Sequence, residues 1–324
     1  MLTRGLAGLI VLAAPAAALE LEWPVACTAG QDCFIQQYMD HDAGTGVRDF
    51  SCGLATYDGH DGTDIRVRSL ADMEKGVDVL AAAGGTVLGT RDGEPDYLVR
   101  TDADRAAVAD KECGNGVLIA HEGGWQTQYC HMRTGSVVVT KGESVASGQR
   151  LGQIGASGLA AFPHLHLTVR REKTAIDPFN GSAITEACSA APGRDLWSAK
   201  ADASLAYQPT NVIGFGFAPG TVAIEDVESG ATQSLQPDAA SAGLVAWMWA
   251  INLERGDEIV VTLAGPGGEL ASNRETLDRH KAQYLLFAGK KRKGEAWPGG
   301  EYTAEANVLR GGKVLITQSA VLRF

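Results

Sequence analysis

Past its N-terminus, the chain of 324 residues lacks any apolar run approaching the ~18–20 residues of a membrane-spanning helix, so no such span is expected once the N-terminal segment is removed. Positive charge is scarce. Lys and Arg number 28 against 39 Asp and Glu, a net charge of −11, which excludes a nucleic-acid binder held by phosphate neutralisation. Proline is scarce too, 11 residues against 40 glycines, which favours tight turns and short strands over long helices. The six cysteines include no CxxC pair, so a cysteine zinc cluster is disfavoured. No short-period repeat is present, which argues against a solenoid. What remains is a globular composition, 45% apolar and 21% charged. The length suits two domains at about 150 residues each.

Residues 1–18 read as a cleavable signal peptide: Arg4 supplies the positive start, Gly5 to Ala14 the apolar stretch, and Ala16, Ala17 and Ala18 the small residues a signal peptidase needs. An anchor helix is disfavoured by Pro15 and then Glu20 and Glu22, and Pro24 stands where a lipoprotein signal before Cys27 needs an apolar residue. The chain is therefore expected to be exported, to the periplasm or as a secreted protein. Cys27, Cys33, Cys52, Cys113, Cys130 and Cys188 all lie in the exported part, and an even count in an oxidising compartment points to disulfides. Cys113 and Cys130 flank an expected hairpin and Cys27 and Cys33 are close in sequence, so these are candidate pairs.

Along the chain, residues 19–56 read as an irregular N-terminal extension. Short strands are expected at 77–80, 86–88, 116–120, 125–130, 136–140, 151–154 and 164–169, with His121 to Gly124 as a hairpin turn. Residues 90–112 read as a long surface loop of the kind that rims functional sites. Composition shifts at 188–195, read as a linker. Residues 196–324 alternate or run apolar between glycine turns, with strands at 210–217, 243–252, 257–263, 301–309 and 313–324. About seven strands are expected there, the mark of an immunoglobulin-like β-sandwich.

Four of the seven histidines sit in three short motifs. His60 and Asp64 form HxxxD, with Gly59 before it and Gly62 inside it, glycines that favour a loop entering a strand. Imidazole plus carboxylate suits zinc, and Asp58 and Asp61 stand close enough to serve instead. In His164-Leu165-His166-Leu167-Thr168-Val169, strand alternation points both histidines one way and Leu165, Leu167 and Val169 into the core. The strand from Trp125 ends in Tyr129-Cys130-His131, where alternation would put Trp125, Thr127, Tyr129 and His131 on one face. A catalytic zinc keeps three protein ligands and an open position. HxxxD plus one histidine of HxH supplies three, leaving two histidines for proton transfer and for the developing oxyanion.

Taken in order, these motifs resemble those of the lysostaphin/LytM-type zinc endopeptidases, which cut peptide cross-links in bacterial cell walls. The resemblance covers about residues 57–180. It rests on His60 to Asp64, Gly114-Asn115-Gly116, Tyr129 to His131, the Lys141–Val145 and Gly148–Gly152 run, Ser157-Gly158 and Pro163 to Leu167. It implies an antiparallel β-sheet peptidase domain over 57–187 with an open groove. It also implies Zn2+ held by His60, Asp64 and His166, His131 and His164 as the catalytic pair, and peptidoglycan stem peptides as the partner. One feature departs from the family pattern: Cys130 replaces a small residue. The second half lacks the aromatic pattern of familiar wall-binding modules.

The favoured function is thus an exported zinc endopeptidase working through a metal-activated water. Two other readings keep the fold: a catalytically silent wall-binding or regulatory module, with a protein partner engaged through the C-terminal domain, and a zinc peptidase with an exported protein substrate. His41, between Asp40 and Asp42, is a weaker rim candidate, and Lys290 to Lys293 read as a solvated loop tip.

Overall fold

The computed structural model describes residues 19–189 and 194–324. The signal peptide read over 1–18 and the middle of the linker read over 188–195 lie outside the described residues. Among the described residues, no helix is long and apolar enough to cross a membrane.

The chain is predominantly β. The first half holds strands β1 (Cys33–Gln37), β2 (Thr63–Val67), β3 (Asp78–Leu80), β4 (Gly85–Arg91), β5 (Asn115–Ala120), β6 (Trp125–Met132), β7 (Ser144–Val145), β8 (Arg150–Gln153), β9 (His164–Arg171) and β10 (Thr174–Ala175). Helices α1 (Leu70–Lys75) and α2 (Asp102–Ala107) are short. The main antiparallel sheet runs β1-β2-β9-β6-β5-β4-β7, with β10 beside β9; β3 and β8 form a separate pair.

One face of this sheet is the core. Leu165, Leu167 and Val169 of β9 are buried beside Ile65, Tyr129 and Ile119 of its neighbours. Burying each such side chain contributes about 1.5–3 kcal/mol, which fixes the register of the central strands. The opposite face therefore receives the alternate residues. Asp64 of β2 and Cys130 of β6 both lie opposite His166, and Arg66 lies opposite His164.

Several expectations change. Residues 19–56 are not irregular throughout: β1 pairs with β2, and Leu21 and Val25 are buried in the core. The 90–112 segment is not all loop, because Thr101 and Asp104 form a capping box that starts α2. Residues 136–140 join no strand ladder, although the Val138 N–H donates to the Leu151 carbonyl at 2.9 Å.

After α3 (Ala199–Asp202), the second half holds β11 (Asn211–Ala218), α4 (Ile224–Ser229), β12 (Gly243–Leu253), β13 (Glu258–Gly265), β14 (Gly268–Thr276), β15 (Lys281–Lys291), β16 (Glu301–Arg310) and β17 (Lys313–Arg323). They build two antiparallel sheets, β11-β12-β15 and β14-β13-β16-β17. The first, second and fifth strands thus oppose the rest, a Greek-key sandwich of the immunoglobulin-like kind in which the fourth strand stays with the third. The sequence reading missed β14 and β15. Lys290 and Lys291 end β15 rather than sitting on a loop tip.

β12 is buried on both faces, which explains its unbroken apolar run. Leu244, Ala246 and Met248 face the sandwich core. Val245, Trp247 and Trp249 face the first half, where they join Phe34 of β1 in a third cluster. Leu196, Trp197, Ala201 and Leu205, expected in the second domain, are buried in the first core.

Candidate metal centre and catalytic site

His60 follows a turn in which Gly59 takes a φ of 75°, and its ring is fixed from behind by the Tyr38 carbonyl, 2.6 Å from Nδ1. A carbonyl only accepts, so Nδ1 carries the proton and Nε2 presents a lone pair. His166 is fixed the opposite way round. Its Nε2 lies 2.9 Å from Thr168 Oγ1 and 3.3 Å from Asp61 Oδ1, which leaves the Nδ1 lone pair free. Asp64 Oδ1 lies 3.2 Å from His60 Nε2 and 2.9 Å from His166 Nδ1, and the two nitrogens are 3.1 Å apart.

With the His166 ring neutral, three acceptors thus converge in a buried place with no donor among them. Such a set is repulsive without a cation, and two imidazoles with one carboxylate are the donors zinc prefers. The ring nitrogens turned away from the centre are held by a carbonyl, a hydroxyl and a carboxylate, as is usual for metal-bound histidines. His60, Asp64 and His166 fit Zn2+, as the sequence predicts; Asp61 serves behind His166 instead of as a ligand. The middle position of the His60–Asp64 motif must be glycine, because a Cβ at Gly62 would stand 2.7 Å from His166 Nε2 and 2.6 Å from the Leu167 carbonyl.

Charge follows the same layout. Burial opposes ionisation of Asp64, but His60, His164 and His166 hold its carboxyl well below the usual range. Burial likewise opposes the charge on His166, yet Asp61 and Asp64 raise it to about 9. At this ring a proton therefore competes with a metal cation.

His131 and His164 stand at the mouth of the centre. Their rings are 4.5 Å apart, and His164 Nε2 is 3.5 Å from Asp64 Oδ1. His164 Nδ1 meets the Phe162 carbonyl at 2.7 Å and His131 Nδ1 meets the Ser157 carbonyl at 2.8 Å. Burial lowers the pKa of both, and the neighbouring His164 and His166 lower His131 further. Both are neutral at neutral pH, each with a free Nε2.

The face expected for His131 is corrected. Thr127 and Tyr129 point into the core, while Gln128 and Cys130 line a cavity of about 240 Å³ beside the metal centre. His131 adopts a φ of 60°, which breaks strand alternation and turns its ring to that cavity. Its N–H donates to the Cys113 carbonyl at 2.8 Å, and Cys113 is disulfide-bonded to Cys130. Glu112 and Cys113 bring the end of the 90–112 segment to the same cavity. Arg170, which the sequence reading passed over, reaches it with bonds to Gln128 Oε1 at 2.6 Å and Asp61 Oδ2 at 2.9 Å. The alternation from His166 could have placed it there.

Other histidines lie outside this centre. His41 bonds Asp177 at 3.1 Å and the Glu186 carbonyl at 2.9 Å; His121 bonds the Gly84 carbonyl and Thr127.

Residues 58–178 match the profile of peptidase family M23, and the metal centre falls inside that span. The chain carries an M23 peptidase domain. The chain is similar over part of its length to curated proteins of two bacteria. Cell division protein DipM of Caulobacter vibrioides is 32% identical over 111 residues, 34% of this chain and 17% of that protein. In Vibrio cholerae, peptidoglycan DD-endopeptidase ShyA is 34% identical over 90 residues, 27% of this chain and 20% of that protein. Its counterpart ShyB is 33% identical over 95 residues, 29% and 21%. The chain spans about a fifth of the length of these relatives. The M23 domain is followed here by the β-sandwich.

Proposed function

We propose that this chain is an exported zinc metalloendopeptidase that hydrolyses peptide cross-links of bacterial peptidoglycan. The observation that carries this reading is the convergence of three metal-type acceptors with two neutral histidines, each offering a free Nε2. The names of the Vibrio relatives support D-Ala–diaminopimelate cross-links over glycine bridges as the target. Three disulfides support an oxidising compartment, and the periplasm is the location we propose. For the domain division we propose a peptidase unit that extends to Leu205, because Leu196 to Leu205 are buried in its core.

Zinc bound by His60, Asp64 and His166 would polarise the scissile carbonyl and lower the pKa of water. His131 and His164 share the remaining work. One Nε2 accepts the proton of the attacking water, and the resulting imidazolium can donate to the oxyanion or to the leaving amine. Asp64 beside His164 stabilises that positive charge. Arg170 and Gln128 line the cavity where the stem peptide would lie.

Isolated sacculi incubated with the mature protein test the proposal. The expected result is release of monomeric muropeptides from cross-linked dimers. Zinc bound in full with no release would support the silent binding module, and cleavage of an exported protein alone would support the other substrate class.

A further inference from the structure

Arg66 is 1% exposed, and among the described residues no carboxylate forms an ion pair with it. A buried guanidinium without an ion pair is costly and needs compensation from its surroundings, of which the Glu228 carboxylate gives part at longer range. Its N–H groups donate to Gln36 Oε1, to Gln283 Oε1 at 3.2 Å, and to the Val67 and Arg68 carbonyls at 3.2 Å. Two aromatic rings pack against it: Cζ lies 4.7 Å from the Phe162 centroid and 4.9 Å from the Trp249 centroid. Gln283 and Trp249 belong to the sandwich, whereas Gln36 and Phe162 belong to the peptidase unit.

Phe162 is the link to the chemistry. Its ring lies 4.6 Å from the His164 ring, and its carbonyl accepts from His164 Nδ1. Arg66 also lies opposite His164 in the β2–β9 ladder. A continuous line of contacts, a stack only in the loose sense of tilted rings, therefore runs His131, His164, Phe162, Arg66, Trp249. Cation–π attraction holds the Arg66 steps of this stack and packing holds the others.

We propose that the sandwich completes the catalytic site: Trp249 and Gln283 fix Arg66, and Arg66 clamps Phe162 so that His164 keeps its orientation and its Nδ1 proton. Arg66, Trp249 and Gln283 are positioning residues, since none touches the metal ligands' donor atoms or the cavity. The inference rests on the proposed role of His164, but its test does not depend on turnover.

The full-length, zinc-loaded chain is labelled with 15N-histidine, and the His164 Nδ1–H signal is assigned by its loss in His164→Ala. In Trp249→Ala that signal is expected to broaden or vanish through solvent exchange, while zinc stoichiometry stays at one. On cross-linked dimer muropeptide, kcat is expected to fall about ten- to a hundredfold with KM unchanged, the cost of a displaced catalytic group. Trp249→Phe, which keeps a ring over Arg66, is expected to restore both readouts. Gln283→Ala is the milder variant if Trp249→Ala does not fold, and the same loss of signal is expected. An unchanged His164 signal in a folded variant overturns the inference. So does a kcat loss accompanied by loss of zinc. If the wild type cleaves nothing, the function reading fails, and the NMR signal alone still decides the positioning claim.

Discussion

Gly62 shows how closely single residues set this site. A methyl group there would collide with His166 and with the strand carbonyl beneath it, neither of which has room to move. Gly62→Ala is expected to weaken zinc binding about 10- to 100-fold, measured by competition with a chromogenic chelator, with the fold retained by circular dichroism. His131→Ala and His164→Ala are expected to do the reverse. They should keep zinc and lose about 10²–10⁴-fold in turnover. Wild-type hydrolysis in both variants would remove the proposed mechanism. Spacing and strand alternation singled out His60, Asp64, His164 and His166 as candidates, and the ordered family motifs supplied His131 and the division into ligands and catalytic pair. The groups that orient them were less legible. The Tyr38, Ser157 and Phe162 carbonyls have no sequence signature, because any residue supplies a carbonyl. The left-handed turn at His131 defeated alternation for the same reason: a backbone hydrogen bond to Cys113, not a side chain, sets it.

His41 offers a separate test at this scale. Burial opposes its charge, but Asp177 and the Glu186 carbonyl outweigh burial and raise its pKa. A raised folded pKa means the pair's contribution is complete below the unfolded value of about 6.5 and is lost as pH rises through the folded value. The Tm is expected to fall as pH rises above about 6.5, and His41→Asn should flatten that slope. An equal slope in His41→Asn would show that other groups cause it.

At the scale of elements, the disulfides do different jobs. Cys113–Cys130 ties the end of the 90–112 segment to β6 beside His131, whereas Cys52–Cys188 closes a far longer loop, 136 residues against 17. Loop entropy gives about 5 kcal/mol for the long loop and about 3 kcal/mol for the short one. Denaturant melts should therefore show the larger loss for Cys52→Ser/Cys188→Ser. Turnover should suffer more in Cys113→Ser/Cys130→Ser, and the opposite ranking on both measures would mean the bridges have been assigned the wrong roles. Two of the three pairings were suggested by sequence proximity, while the third joins distant segments and needed the fold. The same division holds for strands. β9 and the β5–β6 hairpin announce themselves by alternation and turn residues. β1 does not, because Cys33–Gln37 is buried on both faces, one against the core and the other beneath Arg66 and the sandwich.

The whole molecule is two β units with an apolar seam. Trp247 and Trp249 of β12 meet Phe34 of β1 on the face of the sheet that carries the metal centre. The sandwich therefore packs on the face that carries the site without lining its cavity, a contact that composition alone could not reveal: β12 reads as a core strand whichever partner covers its second face. The seam explains why Arg66 can stay buried without an ion pair, and it places Trp249 and Gln283, the sandwich side of the proposed clamp, outside the M23 span matched at 58–178. The central claim remains the chemistry of the metal centre. It is tested most directly by incubating the mature protein with isolated sacculi, with and without a zinc chelator, and reading the released muropeptides by mass spectrometry. The account predicts chelator-sensitive conversion of cross-linked dimers to monomers, restored by added zinc. Dimers left intact by a protein shown to hold one zinc per chain would contradict it.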